Sequence, residues 1–263
     1  MYSFDYQKPT DVAGITRALA TGGQALAGGQ TLIASMKLRL SQPGSLVDLG
    51  GVAELRGVCR DGNALVIGAM TRHAEVASNA DVQAALPALA RLAGGIGDRQ
   101  VRAMGTLGGS VANNDPAACY PSAVLGLGAT IRTNRRQIPA DAFFKGVYTT
   151  ALEPGELITA IAFPIPKRAA YAKFRQRASR FPLIGVFVAQ TGEGVRVAVT
   201  GGGQGVFRHA GLEAALSRSF SPDAVKDIPI DSGTLSSDLH ASAQYRAQLI
   251  RVQTQRAVRQ AHG

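Results

Sequence analysis

Two glycine-rich segments carry the residue types best suited to holding a phosphorylated ligand: Ala27-Gly28-Gly29-Gln30-Thr31 and Thr106-Leu107-Gly108-Gly109-Ser110. A Gly-Gly pair lets backbone N–H groups converge on an anion with no Cβ in the way, and the closing Thr or Ser adds a hydroxyl donor. Two such turns can grip one diphosphate from two sides. Taken singly, each is equally readable as an ordinary tight turn. The sequence contains no G-x-G-x-x-G, no Gly-Lys dipeptide, no G-x-S-x-G and no H-E-x-x-H. A Rossmann fingerprint, a P-loop, a hydrolase elbow and a zincin helix are therefore excluded. The only cysteines are Cys59 and Cys119, too few for an iron-sulfur cluster or a structural zinc site. His73, His209, His240 and His262 lack metal-ligand spacing.

The elements around these segments alternate helix and strand. Pro9-Thr10-Asp11 starts a helix with Val12, Ile15, Ala18 and Leu19 at helical spacing, stopped by Gly22-Gly23. Residues 25–27 form a short strand into the first glycine turn, and residues 31–40 a helix with Leu32, Met36 and Leu40 on one face. The first turn thus sits between a strand and a helix N-terminus, where the potential favours phosphate. Val47-Asp48-Leu49 and residues 64–68 read as strands, and Thr71 as the cap of a helix through Val76, with Glu75 near the capping position. Residues 81–92 read as a helix that Pro87 disturbs or divides. Gln100-Val101-Arg102 leads into the second turn, followed by a helix over 121–127 and a strand over 129–132. The strand at 157–163 ends at Pro164. Strands at 171–175, 183–189 and 195–200 then form an antiparallel meander, and residues 241–258 a helix with Tyr245, Leu249, Val252 and Arg256 on a shared face.

The chain has 263 residues, 46% of them hydrophobic, and a mean hydropathy near zero, which indicates globular structure. No secretory leader is visible at residues 1–6, and the uncharged run most suggestive of a membrane span, 116–131, is too short and too broken for one; a soluble cytoplasmic protein is expected. The net charge is +10, and no acid occurs between Glu156 and Glu193. Lys167, Arg168, Lys173, Arg175, Arg177 and Arg180 there alternate with Tyr171, Phe174 and Phe181. This strip reads as a solvated face, as a site for a phosphorylated cofactor or an acidic partner subunit, or as a nucleic-acid surface. The last leaves both glycine turns unexplained and lacks an RNP1-like sequence.

An ordered set of segments narrows these readings: residues 27–32 followed by Met36-Lys37-Leu38-Arg39-Leu40, Ile67-Gly68-Ala69-Met70-Thr71, Ile96-Gly97-Asp98-Arg99-Gln100-Val101-Arg102, residues 105–116, Asp238-Leu239-His240-Ala241-Ser242 and Tyr245-Arg246-Ala247. In that order they resemble the FAD-binding medium subunit of the aerobic carbon monoxide dehydrogenase and xanthine dehydrogenase family of molybdenum hydroxylases. The resemblance spans nearly the whole chain. It implies an α+β protein: two α/β subdomains of the vanillyl-alcohol-oxidase (PCMH) FAD-binding type, 1–56 and 57–165, then a domain at 166–263 with a three-stranded antiparallel sheet and helices.

It further implies that Ala27, Gly28, Gly29, Gln30, Thr31 and Leu32 form one set of FAD contacts, with Thr106, Gly108, Gly109, Ser110, Asn114 and Asp115 a second, around the pyrophosphate and neighbouring sugar. Lys173 is placed at the polar edge of the flavin, where a cation stabilises the charge that develops on reduction. Phe181 is placed beside the isoalloxazine, with core packing as its competing reading. One position departs from the family pattern. The usual Asp-Pro-Ala-Ala-Asp-Tyr-Pro reads Asp115-Pro116-Ala117-Ala118-Cys119-Tyr120-Pro121 here, so a weak acceptor replaces an acid near the ribityl chain, at a cost of about 1 kcal/mol of cofactor binding. Gln30, where a His is frequent, keeps a donor. The implied function is electron transfer through FAD, from [2Fe-2S] clusters in a small partner subunit to an external acceptor, with molybdopterin in a large partner subunit and an (αβγ)2 assembly. A stand-alone flavin oxidase of the same fold is the alternative.

Overall fold

The computed structural model describes residues 1–262. Its first unit alternates strand and helix, as the sequence pattern requires: β1 (Asp5–Gln7), α1 (Val12–Ala20), β2 (Gln24–Leu26), α2 (Leu32–Lys37) and β3 (Ser45–Asp48). The three strands pair in parallel in the order β1-β3-β2. Asp11 caps α1 through Gly14 N at 2.6 Å, so the helix starts where the Pro-Thr-Asp run ends. Ile15 and Ala18 of α1 pack with Val47, Leu49, Val52 and Leu55, closing a small core. The second helix is shorter than its apolar spacing predicts. Arg39 adopts a left-handed backbone with φ 61°, and Leu38 and Leu40 are exposed, so Leu40 does not share a buried face with Met36.

A second unit follows: β4 (Val58–Asp61), β5 (Ala64–Gly68), α3 (His73–Ser78), α4 (Ala80–Ala85), α5 (Pro87–Gly94), α6 (Arg99–Met104), α7 (Leu107–Asn113), α8 (Tyr120–Gly126), β6 (Thr130–Thr133), β7 (Gln137–Pro139), α9 (Ala140–Phe143), β8 (Phe144–Gly146), β9 (Thr149–Thr150) and β10 (Ile158–Pro164). Its main sheet is antiparallel, in the order β4-β5-β10-β6-β7. Pro87 divides the Ala- and Leu-rich stretch into α4 and α5 by occupying the first turn of the latter, where its missing N–H costs nothing. The cap of α3 is Arg72 and not Thr71: Glu75 accepts the Arg72 amide at 2.8 Å, while the Thr71 hydroxyl serves Gly57, accepting from its N–H and donating to its carbonyl.

The third unit contains β11 (Arg168–Arg175), β12 (Pro182–Gln190), β13 (Val195–Thr200), β14 (Phe207–Arg208), α10 (Ala210–Arg218) and α11 (Ala243–Ala261). The antiparallel meander is present, with the two-residue β14 added at the β13 edge. Strand β12 is buried on both faces. Phe187 and Ala189 face the core of the second unit, whereas Ile184, Val186 and Val188 join Leu212, Leu249, Ile250 and Val258 beneath the C-terminal helices. A period of two therefore divides one apolar run between two cores. The buried face of α11 runs through Arg246, Leu249, Ile250, Gln253, Ala257 and Val258, while Tyr245 and Arg256 are exposed. The polar residues on that face hid it from a hydropathy pattern.

Burial of Arg246 is supported by both terminal nitrogens of its guanidinium: Nη1 donates to the carbonyls of Leu183 (2.9 Å) and Gly201 (2.6 Å), and Nη2 pairs with Asp238 at 2.7 Å, while Nε has no partner among the described residues. Arg246→Met keeps the apolar stem but strands two carbonyls and a carboxylate. Its expected cost is about 3 kcal/mol, measured by chemical denaturation.

Candidate functional site

The two glycine segments lie against each other. A Cβ on Gly28 would strike the carbonyl oxygen of Met104 and stand 2.7 Å from Gly105 Cα, and one on Gly109 would stand 3.2 Å from Ala27 Cβ. A Cβ on Gly108 would stand 2.9 Å from Ala69 Cα. Glycine at 28 and 108 is thus what allows the backbones to meet, and Gly29, with φ 68°, makes the turn itself. Together they form part of the wall of a cleft of about 690 Å³ that reaches all three units.

The segments differ in what they offer a ligand. In the first, the amides of Gly28, Gly29, Gln30 and Thr31 have no acceptor among the described residues, so four consecutive donors remain available. The second is not a turn but the capped start of α7. Thr106 Oγ1 accepts from Gly109 N at 3.2 Å, Gly108 N donates to Ala69 O, and Ser110 N donates to Thr106 O. Its amides are therefore spent on the fold, and it offers the hydroxyls of Thr106 and Ser110 together with a surface free of side chains. The expectation of two symmetric amide cradles is corrected to one cradle and one smooth, hydroxylated wall. Thr106 itself held the signal, since Thr is among the residues favoured at an N-cap, where its hydroxyl accepts from the amide three residues on.

Fourteen of the fifteen residues expected at the site line this cleft: Ala27, Gly28, Gly29, Gln30, Thr31, Leu32, Thr106, Gly108, Gly109, Ser110, Asp115, Cys119, Lys173 and Phe181. The other is Asn114. It is fully buried at the C-terminus of α7 in a left-handed conformation, φ 44°, and its Nδ2 donates to the carbonyls of Gly146 and Thr149. Asn114 thereby anchors the β8–β9 hairpin, which carries Tyr148 to the cleft, where the tyrosine hydroxyl faces Asp115 Oδ2 at 3.4 Å. Asp115 Oδ1 accepts from Ala117 N, holding the bend that leads to Cys119. The basic strip is not a continuous nucleic-acid platform. The Tyr171 ring stacks on Phe187 inside the molecule, and Lys173 turns into the cleft.

His73, Ile96, Gly97, Tyr148 and Glu156, which the sequence does not single out as site residues, also line the cleft, together with Arg180 of the basic strip. His73 is buried beneath Gly105, its ring tilted against Tyr120 at 5.2 Å, with Nδ1 unpartnered. Burial, with Arg102 adding repulsion, lowers its pKa to about 4. The unfolded chain takes up this proton near pH 6.5 and the folded chain resists it down to about 4. Stability is thus full above pH 6.5 and falls as the pH drops through that window. His73→Gln is expected to flatten this part of the stability profile, read by denaturant titration at stepped pH.

Four free amides, hydroxyls opposite them and a glycine-walled approach form a donor set suited to a pyrophosphate joined to a larger polar ligand. The FAD binding domain in molybdopterin dehydrogenase matches residues 2–166. The chain belongs to this family. The carbon monoxide dehydrogenase medium chain of Hydrogenophaga pseudoflava is 32% identical, covering 97% of this chain and 96% of its own length. The glyceraldehyde dehydrogenase medium chain of Sulfolobus acidocaldarius is 34% identical over 89% of each. Among solved structures, carbon monoxide dehydrogenase from H. pseudoflava superposes with a TM-score of 0.91 over 99% of this chain and 98% of that one, at 32% identity. Quinoline 2-oxidoreductase from Pseudomonas putida 86 superposes at 0.89 over 99% and 97%, at 28% identity.

FAD is therefore the cofactor for which this oxidoreductase subunit is built, on the PCMH-type fold. The residues present fit it: a Cβ-free approach at Gly28 and Gly108, the amides of residues 28–31, and Lys173 within the same cleft. Among the described residues, no group of three or more His, Cys, Asp and Glu is placed to hold a metal ion, and no helix is long and apolar enough to cross a membrane.

Proposed function

We propose that this chain is the flavin-bearing electron-transfer subunit of a molybdenum hydroxylase. It receives electrons singly from [2Fe-2S] clusters of a small partner subunit and delivers them to an external acceptor. A large partner subunit carries molybdopterin, the assembly is (αβγ)2, and it works in the cytoplasm. The observation that carries this reading is the pairing of a free-amide cradle with a glycine-walled approach in a chain that matches medium subunits along nearly its full length.

When bound, FAD supplies the exchange between one-electron and two-electron transfer. Residues 28–31 would hold the pyrophosphate through their amides, with the Thr106 and Ser110 hydroxyls as further donors from the facing wall. Asp115 and Tyr148 close one edge of the cleft, while Phe181 shields the isoalloxazine from water. Lys173 places a positive charge where the ring gains negative charge on reduction. We place the limits of the three units at about residues 56 and 165, a division supported by the separate sheets to which the strands belong.

The test is electron delivery. The chain is produced together with its genomic neighbours, and the purified complex is reduced photochemically while cluster and flavin absorbance are followed separately. Flavin bleaching that follows cluster reduction supports the proposal. A flavin that reacts directly with a small organic substrate and never with the clusters favours the stand-alone oxidoreductase.

A further inference from the structure

Lys173 reaches into the cleft from β11 and is held by three acceptors: the carbonyls of Gly95 at 2.8 Å and Arg180 at 3.0 Å, and Cys119 Sγ at 3.4 Å. None is a carboxylate, and Lys173 forms no ion pair among the described residues. Its surroundings add further positive charge. Arg102 donates to the carbonyls of Ile96 and Gly97, and Arg180 donates to Gly97 as well. Asp98 caps α6, Asp115 accepts from Ala117 N and Glu156 binds Arg136, so none of these acids is paired with Lys173. Cys119, buried just before α8, fills the one side-chain contact to Lys173 in which an acid would neutralise it.

We propose that Cys119 is a positioning residue that keeps Lys173 free of counter-charge and thereby raises the reduction potential of FAD bound in this cleft. The inference rests on the FAD reading above. Two electrons from the partner's clusters and one proton from solvent convert the neutral oxidised ring into a reduced ring with one negative charge. A cation without a counter-ion, in a partly dry cleft, favours that charged form, and an adjacent carboxylate would cancel most of its field. The thiol thus controls the potential through Lys173 without touching the electrons.

The test is the midpoint potential of FAD on the purified chain, from dye-equilibrated reductive titration of wild type, Cys119→Asp, Cys119→Asn and Lys173→Gln. Cys119 has an ordinary right-handed backbone, φ −76° and ψ −45°, which aspartate and asparagine both adopt, so neither substitution strains the entry to α8. Cys119→Asp and Lys173→Gln are each expected to lower the potential by about 30 mV or more, the equivalent of a tenfold loss of preference for reduced over oxidised cofactor in a two-electron couple. Cys119→Asn, matched in shape and uncharged, is expected to shift it by a small fraction of that. Equal shifts for Asp and Asn would show that shape and not charge matters, and would overturn the proposal. A Lys173→Gln potential equal to wild type overturns it whether or not the Asp variant folds. Chains that bind no FAD at all, wild type included, contradict the FAD reading itself, so the two failures are distinct.

Discussion

Gly28→Val is expected to weaken FAD binding about ten- to a hundredfold while leaving the chain folded. The valine Cβ would enter the space of the Met104 carbonyl and the Gly105 Cα, so the first glycine loop must move away from the segment leading into α7. That movement disperses the four free amides of residues 28–31 and opens the wall they share with Thr106 and Ser110. Overpacking of this kind costs about 1–3 kcal/mol. Taken from cofactor binding, this is a loss of about ten- to a hundredfold in affinity. Gly44→Ala is the control, because a Cβ there meets nothing within 4 Å and the backbone is not left-handed. Flavin content per chain, with thermal denaturation as the folding check, is the measurement. Full FAD retention by Gly28→Val would show that the close approach of the two segments is not what forms the site.

The second large effect is expected at Glu156. This carboxylate has no exposed side-chain surface and is nonetheless ionised, because it accepts from Arg136 Nε and Nη2, each at 2.9 Å, from Thr133 Oγ1 at 2.8 Å and from Glu153 N at 2.9 Å. The hydrogen bond from Arg136 outweighs desolvation and lowers the pKa to about 2. Glu156→Gln is expected to cost about 2–3 kcal/mol near neutral pH, within the range for hydrogen bonds to a charged group. Because the folded pKa lies below the unfolded one, the stabilisation is complete above pH 4.5 and is lost as the pH falls towards 2. The gap between wild type and Glu156→Gln should therefore narrow across that window. A gap independent of pH would mean that the ionised carboxylate is not what stabilises this corner, where β6, β10 and the cleft wall meet.

Much of the site was legible in the sequence because its constraints are local. Gly29 serves a left-handed turn, a requirement that acts within a few residues, and the Gly-Gly pair also marks the close backbone approach at Gly28, although the segment it meets, Met104-Gly105, lies far along the chain. What escaped the sequence depends on distant partners. Thr106 is the local exception: its hydroxyl accepts from Gly109 N in its own helix, which turned an expected ligand loop into a capped helix. Asn114 uses its amide on a hairpin more than thirty residues away, so a residue within a ligand-like motif serves the fold. His73 and Glu156 looked like ordinary polar residues until the packing of β5, α3 and β10 brought them to the cleft. Arg246 and Gln253 made the buried face of α11 look polar: the acceptors that permit burial of Arg246 lie in other elements or turns, and Gln253 is buried with its amide nitrogen unpartnered.

The resemblance and the geometry converge on one claim, that this cleft holds FAD by the amides of residues 28–31 and the wall opposite. It is tested most directly by purifying the chain and measuring flavin per polypeptide after denaturation, together with binding of added FAD to stripped protein. The account predicts one FAD per chain, released intact on unfolding and rebound on refolding with excess cofactor. A colourless chain that stays folded and binds no added FAD would contradict it.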